Sequence, residues 1–383
     1  QEAQSLSQGL NEVIVTTFKT NSAIYFGRVP STNTEFYIDN VSVKEYLGQE
    51  VVPDSGCGSW LLEGQSTNLI TYSSDFSQWS NANYTVQSNV GVSPSGNNDA
   101  SSLTNPSGGG GFIKQNTNVA ASTNYTFSFY AKKGTASDVK YSIFDNTNGV
   151  NIIASTSYYS QLNSSTFTRV TVSFTTPIGC TNIGAYILRD NIATGTVIVW
   201  GAQLEQQSFS TSYVPTSGAA NTRLQDIADN SGNSSLINST EGVLYAEIAA
   251  LETTSSGRTY ITITDGTDNN RASILFSTAA TNRIRTFLRV GGVTQVDFSD
   301  NVSDVTNFNK IAFSYKENDF KLYINGALVS SDTSGSVWST NTINKLTFSK
   351  IGTTAGSFKG KVKSLAVYKE ALTDAELQSL TTI

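Results

Sequence analysis

Apolar residues recur at every second position through much of this chain, and Gly, Asn, Asp and Ser close the runs. Tyr125-Thr126-Phe127-Ser128-Phe129-Tyr130, Val170-Thr171-Val172-Ser173-Phe174, Thr196-Val197-Ile198-Val199-Trp200 and Tyr260-Ile261-Thr262-Ile263 all read this way. Successive side chains of a strand point to opposite faces, so each run predicts a β-strand with one buried side. Short strands spaced roughly ten residues apart predict antiparallel sandwiches or jelly rolls. Near the C-terminus Asn325-Gly326 joins Phe320-Lys321-Leu322-Tyr323-Ile324 to Ala327-Leu328-Val329. Both turn residues accept positive φ, which predicts a tight hairpin with Leu322, Ile324 and Leu328 as its apolar positions. Glu317-Asn318-Asp319 reads as a polar turn between Tyr315 and Phe320. Helical periodicity is almost absent. Thr373 followed by Glu376 is a capping box, with Leu377 and Leu380 as an apolar face, and predicts one short terminal helix.

The runs group into regions. Ala23-Ile24-Tyr25-Phe26-Gly27-Arg28 resembles Gly184-Ala185-Tyr186-Ile187-Leu188-Arg189, and Phe36–Val43 lines up with Val197–Leu204 at the same spacing. Tyr25 pairs with Tyr186, Arg28 with Arg189 and Val43 with Leu204; the alternative is chance similarity between two β-rich segments. If the repeat is real, residues 1–50 are the C-terminal part of an incomplete sandwich. Its open face then needs strands upstream of Gln1 or a neighbouring chain. The expected order is 1–50 incomplete sandwich, 51–74 connector, 75–208 jelly roll, 209–236 connector, 237–383 second sandwich. The connectors place apolar anchors among polar residues and read as ordered arms rather than loose linkers.

Composition narrows the chemistry. Among 383 residues, 14% are charged, and Ser, Thr, Asn and Gly carry most of the polarity. The 24 Lys+Arg and 30 Asp+Glu give a net charge of -6 with no basic block, which argues against nucleic acid and against a membrane surface. No apolar run of about 18 residues predicts a spanning helix. The chain begins at Gln1 and holds no Met, so a processed or longer polypeptide is expected. With no His, neither Ser-His-Asp nor Cys-His catalysis is available. Cys57 and Cys180 lack metal spacing and read as unpaired small residues, the alternative being a disulfide between them. Gly108–Gly111 lacks the Lys-Ser/Thr pair of a phosphate loop.

Three phrases then act together. Leu61-Leu62-Glu63-Gly64-Gln65-Ser66-Thr67-Asn68-Leu69 precedes Asp75-Phe76-Ser77-Gln78-Trp79; Trp200-Gly201-Ala202-Gln203-Leu204-Glu205 follows; then come Ser212-Tyr213-Val214-Pro215-Thr216 and Thr222-Arg223. This ordered set resembles bacteriophage virion proteins, chiefly tail or head fibres, in which a jelly roll similar to carbohydrate-binding modules precedes a laminin-G-like, concanavalin-type domain. The hairpin at 320–329, Val362–Tyr368 and Leu372–Leu377 are similar to that last domain. The resemblance implies an all-β chain of tandem antiparallel β-sandwiches on an extracellular particle. It implies a homotrimer, other virion proteins as partners and host-surface polysaccharide as ligand. Rival readings are an architectural capsid or tail protein without ligand, and a secreted bacterial glycan-binding module.

Sugar recognition needs exposed ring faces beside amides and carboxylates. Tyr84, Tyr141, Tyr158 and Tyr159 are the candidates. Tyr158 and Tyr159 are adjacent, so in a strand one must leave the core. Trp79 and Trp200 read as core. Asp265, Asp268 and Asn269 cluster in a turn and are candidate calcium ligands, the alternative being a self-stabilised Asp-Gly turn. No Glu-x-Asp-x-Glu triple, as concanavalin-type glycosidases carry, is present, so no hydrolase is expected.

Overall fold

The chain enters on a hairpin, β1 (Val51–Asp54) and β2 (Cys57–Leu62), followed by β3 (Ser66–Asn68). The computed structural model describes residues 51–54, 57–189, 194–253, 259–352 and 356–383. The half-sandwich expected at 1–50, with the first copy of the repeat, lies outside the described residues.

The middle region then builds β4 (Ser80–Ala82), β5 (Thr85–Gln87), β6 (Ser101–Asn105), β7 (Phe112–Asn118) and β8 (Asn124–Lys133). It continues with β9 (Lys140–Asp145), β10 (Val150–Ser157), β11 (Thr168–Thr175), β12 (Asn182–Arg189) and β13 (Gly195–Glu205). They form two five-stranded sheets, β10-β9-β12-β7-β4 and β11-β8-β13-β6-β5. Alternation does what the sequence promised. Tyr125, Phe127 and Phe129 of β8 face Ile183, Ala185 and Ile187 of β12 across one apolar interior. Each such large side chain stabilises the fold by roughly 1.5–3 kcal/mol through burial. Gly201 has φ +62° and marks a bulge between Trp200 and Gln203. The bulge puts both Ala202 and Leu204 into the core while Trp200 and Gln203 face outward. A Cβ at Gly201 would stand 3.2 Å from the Tyr130 ring and 3.3 Å from the Tyr213 ring.

β14 (Asn221–Arg223) returns and pairs with β3. The second sandwich follows: β15 (Glu241–Ala250), β16 (Thr259–Thr264), β17 (Arg271–Phe276), β18 (Arg283–Val290), β19 (Val293–Asn301) and β20 (Asn309–Lys316). It closes with β21 (Asp319–Ile324), β22 (Ala327–Asp332), β23 (Lys345–Thr347), β24 (Gly360–Tyr368) and α1 (Asp374–Thr381). Its sheets run β19-β18-β17-β16-β23 and β1-β2-β24-β15-β20-β21-β22. Thus β2, from the first connector, sits beside β24 with Trp60 opposite Val362, and Leu62 joins the second core. The middle sandwich is inserted between two strands of one sheet.

The hairpin and the helix form as predicted. Asn325 and Gly326 take φ +50° and +84°. Leu322 and Ile324 are buried, but Leu328 is half exposed, contrary to expectation. The two-residue turn sets Ile324 opposite Ala327 and Tyr323 opposite Leu328, so Leu328 shares the outer face of Tyr323. Thr373 and Glu376 form a complete capping box. Leu377 packs with Val243, Tyr245, Ala312 and Tyr323 on the outside of the larger sheet.

The recognisable phrases meet in one buried polar clasp. Asn68 donates to the carbonyls of Ala202 and Val214, and its oxygen accepts from the amides of Ile70 and Leu204. Glu205 accepts from Ser66, from Gln207 and from the amide and hydroxyl of Thr211. The side-chain oxygen of Gln203 accepts from the Val214 amide. Glu63 takes the Ser212 amide and pairs with Arg223 at 3.1 Å. Trp200 and Tyr213 rings lie 4.3 Å apart, and the Tyr213 hydroxyl bonds to Ser73 at 2.6 Å. The arms therefore cover the outer face of the sheet that carries β8 and β13.

Candidate functional site

The opposite outer face, on β10-β9-β12-β7-β4, carries another chemistry. Ile183, Ala185 and Ile187 of β12 point inward, so Asn182, Gly184 and Tyr186 point outward. The register sets Lys114 and Ser142 on either side of Tyr186, and Asn116 and Phe144 on either side of Gly184. Residues from three strands thus share one surface although sequence separates them.

Tyr186 is its centre. The Lys114 ammonium lies 5.2 Å from its ring centroid and the Arg189 guanidinium 4.6 Å. Arg189 also stands 4.7 Å from the Phe144 ring and donates to the Ser142 hydroxyl at 3.3 Å. Phe112 meets Tyr186 edge-on at 5.9 Å. A Cβ at Gly184 would come within 2.8 Å of the Tyr186 ring, so only glycine leaves room for the ring to lie along the strand. Beside it runs an amide ladder. Asn146 donates to Asn182 at 2.7 Å and to Asn116 at 3.2 Å, and Asn182 donates to Asn118 at 2.8 Å. Phe112, Lys114, Phe144, Asn146, Asn182 and Arg189 are part-exposed, and Asn116 is exposed.

Tyr186 itself is 6% exposed, covered by Lys114, Arg189 and Phe112, so what the surface offers is the part-exposed rings of Phe112 and Phe144 for C–H stacking, with amide and cationic donors for hydroxyl or carboxylate oxygens. None of these residues is an acid. Two carboxylates flanking one bond, which glycoside hydrolysis requires, are not supplied by this surface.

The four tyrosines proposed from sequence stand elsewhere. Tyr158 is fully buried and donates to the Ile187 carbonyl at 3.2 Å. Burial raises its phenol pKa well above the usual 10. Tyr84 is 8% exposed and packs in the same interior. Tyr141 is part-buried and stacks on Tyr158 at 6.1 Å; burial raises its phenol too. These rings fill the core rather than offer a face. The adjacency argument assumed a strand, but the chain leaves β10 at Ser157 and turns through a 3-10 segment at Tyr159–Gln161. Tyr159 is part-exposed with the Lys133 ammonium 4.4 Å over its ring, away from the Tyr186 surface. Trp79 and Trp200 are buried, at 3% and 4% exposure.

The acidic turn 265–270 joins β16 to β17. Asp265 accepts from the amide and hydroxyl of Thr267 and from Asn270. Partial burial favours its protonated form, but those bonds outweigh it and hold the pKa below 3.8. Asp268 is likewise part-buried, yet it is held low by Lys350, Arg271 and Arg289, at 3.0, 3.0 and 3.1 Å. The Asn269 carbonyl accepts from Gly292. Three cations around one carboxylate and a second carboxylate spent on its own turn do not fit calcium. Among the described residues no group of three or more His, Cys, Asp or Glu stands where it could hold a metal ion. Cys180 is buried and free; burial, then Asp145, pushes its thiol up to about 11.

Sequence reasoning missed the Tyr186 surface as a site. One signal was present: the internal repeat paired Tyr25 with Tyr186 and Arg28 with Arg189, the two residues at its centre.

Residues 232–378 match the family model for the concanavalin A-like lectin/glucanases superfamily, Laminin_G_3, so the second sandwich is a concanavalin-like domain. Among solved structures, the CBM40 module of Ruminococcus gnavus IT-sialidase, bound to α2,3-sialyllactose, is 18% identical, with a TM-score of 0.32 over 41% of this chain and 95% of that one. Domain 4 of AbnA, a GH43 extracellular arabinanase from Geobacillus stearothermophilus in complex with arabinotriose, is 16% identical, with a TM-score of 0.32 over 43% and 73%. The heptameric SAP-like pentraxin of Limulus polyphemus is 15% identical, with a TM-score of 0.31 over 39% and 72%. No curated protein matches the sequence.

Proposed function

We propose that this protein is a non-catalytic glycan-recognition protein on the surface of a bacteriophage particle, a fibre or a head or tail appendage. Host polysaccharide docks on the outer sheet face around Tyr186. The observation that carries the reading is the set of rings, amides and two cations gathered on that face from β7, β9 and β12. Rings stack on sugar C–H faces, Asn amides match hydroxyl pairs, and Lys114 and Arg189 favour acidic or oxygen-rich saccharides. The virion setting is supported by the ordered phrases of residues 61–79, 200–205 and 212–223. Assembly as a homotrimer with other virion proteins goes with that setting.

Glycan arrays built from host capsule and lipopolysaccharide test the ligand. Retention that falls when Arg189 or Phe144 becomes Ala supports the face. The clasp favours one rival, a purely architectural part, because so many buried bonds serve rigidity. No retention on any array, with particles still needing the protein to assemble, would establish that rival. Mass spectrometry of purified particles tests the location, and light scattering of the purified protein tests the trimer.

A further inference from the structure

The second sandwich carries a surface whose charge opposes that of the chain. Ile261 and Ile263 of β16, Ala272 and Ile274 of β17, and Ile284 and Leu288 of β18 point into its core. Alternation therefore turns Tyr260, Arg271, Arg283, Arg285, Phe287 and Arg289 outward on the same sheet. Lys345 of β23, next to the core residue Leu346, shares that face, and Lys350 reaches it through Asp268. Six cations thus meet the carboxylates of Asp265, Asp268 and Asp297, on a chain whose net charge is -6. The sequence holds no basic block; strand register assembles one.

Two of these cations are set against each other. Arg271 and Arg289 are direct cross-strand partners, and like charges so placed repel. Asp268 relieves this by pairing with both, but it also pairs with Lys350, so one carboxylate answers three cations. Arg271 is buried, its guanidinium 4.6 Å from the Phe287 ring and 5.7 Å from the Tyr260 ring, and forms the base of the cluster. Arg283, Arg285, Arg289, Lys345 and Lys350 are part-exposed and form its outer layer. From Arg283 to Arg289 the row follows β18 for about 20 Å. A positive row of that length favours a chain of repeated anions over a single small one. Asp297, exposed beside Arg285, and Ser299 beside Arg283 add acceptors for hydroxyls. Tyr260 and Phe287 are each 5% exposed, so the face offers no free ring on which nucleobases would stack.

We propose that this arginine face binds an acidic polysaccharide, its carboxylate or sulfate groups seated on the outer cations and its hydroxyls on Asp297 and Ser299. The planar guanidinium fork matches either anion. The site lies on a different sandwich from the Tyr186 face and stands whether or not that face binds a sugar.

Biolayer interferometry on the full chain, with polygalacturonate, dextran sulfate, neutral dextran and duplex DNA as probes, tests it. At least one acidic polysaccharide should bind and neutral dextran should not, and the affinity should fall at least about tenfold between 50 and 200 mM salt. Binding of polygalacturonate assigns the carboxylate, and binding of dextran sulfate the sulfate. Arg283→Gln combined with Lys345→Gln should weaken binding at least about tenfold with the melting temperature held. Lys345→Gln alone should weaken it about threefold, and decides the matter if the double variant is unstable. Lys316→Gln, on the other sheet of the same sandwich, removes the same charge and should leave binding unchanged, as should Arg189→Ala. The proposal is overturned if neither acidic polysaccharide binds, if duplex DNA binds as tightly at the same salt, or if Lys316→Gln costs as much as Lys345→Gln. It is also overturned if Arg189→Ala alone abolishes binding, which would move the polyanion to the Tyr186 face.

Discussion

The clasp and the Tyr186 face are both rich in Asn, Tyr and charge, yet they do opposite work. In the clasp, Asn68 is fully buried and bonded on both sides of its amide. On the face, Asn116, Asn146 and Asn182 bond mainly to one another and stay exposed or part-exposed. A buried amide with every bond made locks two segments together. A part-exposed ladder keeps its second surface for something else. The most recognisable phrases of the sequence therefore mark a joint, and the candidate recognition surface carries no phrase of its own.

Breaking the joint should have the largest effect. Asn68→Ala strands two carbonyls and two amides in the interior and is expected to destabilise the chain by about 3–4 kcal/mol. Urea unfolding measures this, and a loss under 1 kcal/mol would mean the clasp is not what holds the arms. Arg189→Ala should do the reverse: glycan retention falls about tenfold, while stability shifts by less than about 1 kcal/mol. Equal losses in both variants by both readouts would erase the contrast. A control outside both regions, Thr373→Ala, removes the helix cap and should cost about 1 kcal/mol with no change in retention.

The smallest effect is in pH. Burial raises the Glu63 carboxyl above its ordinary 4.5, against the pull of Ser212 and Arg223. The folded state therefore holds that proton more tightly than the unfolded chain. This contribution to stability is present below 4.5 and is lost as pH rises through the elevated folded value. Asp374 runs the other way. Its bond from Lys321 holds it below 3.8, so its contribution is present above 3.8 and is lost as pH falls through the depressed value. Urea midpoints from pH 3 to 7 should show Glu63→Gln removing only the first trend.

Much of the fold was legible because it is local. Alternation found β8, β11, β13 and β16, Asn325-Gly326 found the hairpin, and Thr373 with Glu376 found the helix. Leu328 was misplaced by one residue because pairing across a two-residue turn was not followed through. The union of β2 with β24 was not legible, since nothing near Trp60 names Val362 as its neighbour. The site was hardly legible at all. Asn116, Phe144 and Asn182 meet only through strand register, and Tyr158 looked available only while its segment was taken for a strand. Tyr186 and Arg189 surfaced in the repeat, where they were read as topology rather than chemistry.

The placement of β2 against β24 also bears on mechanics. These strands are antiparallel neighbours, with Leu62 opposite Gly360 and Trp60 opposite Val362, so the start of β2 and the end of β24 lie toward the same edge. Tension applied at the start of β2 and at the end of β24 would peel this pair open one bond at a time instead of shearing all of them together. Until it parts, the inserted middle sandwich lies off the line of force, and a load on the chain would reach the sheet that carries Tyr186 only afterwards.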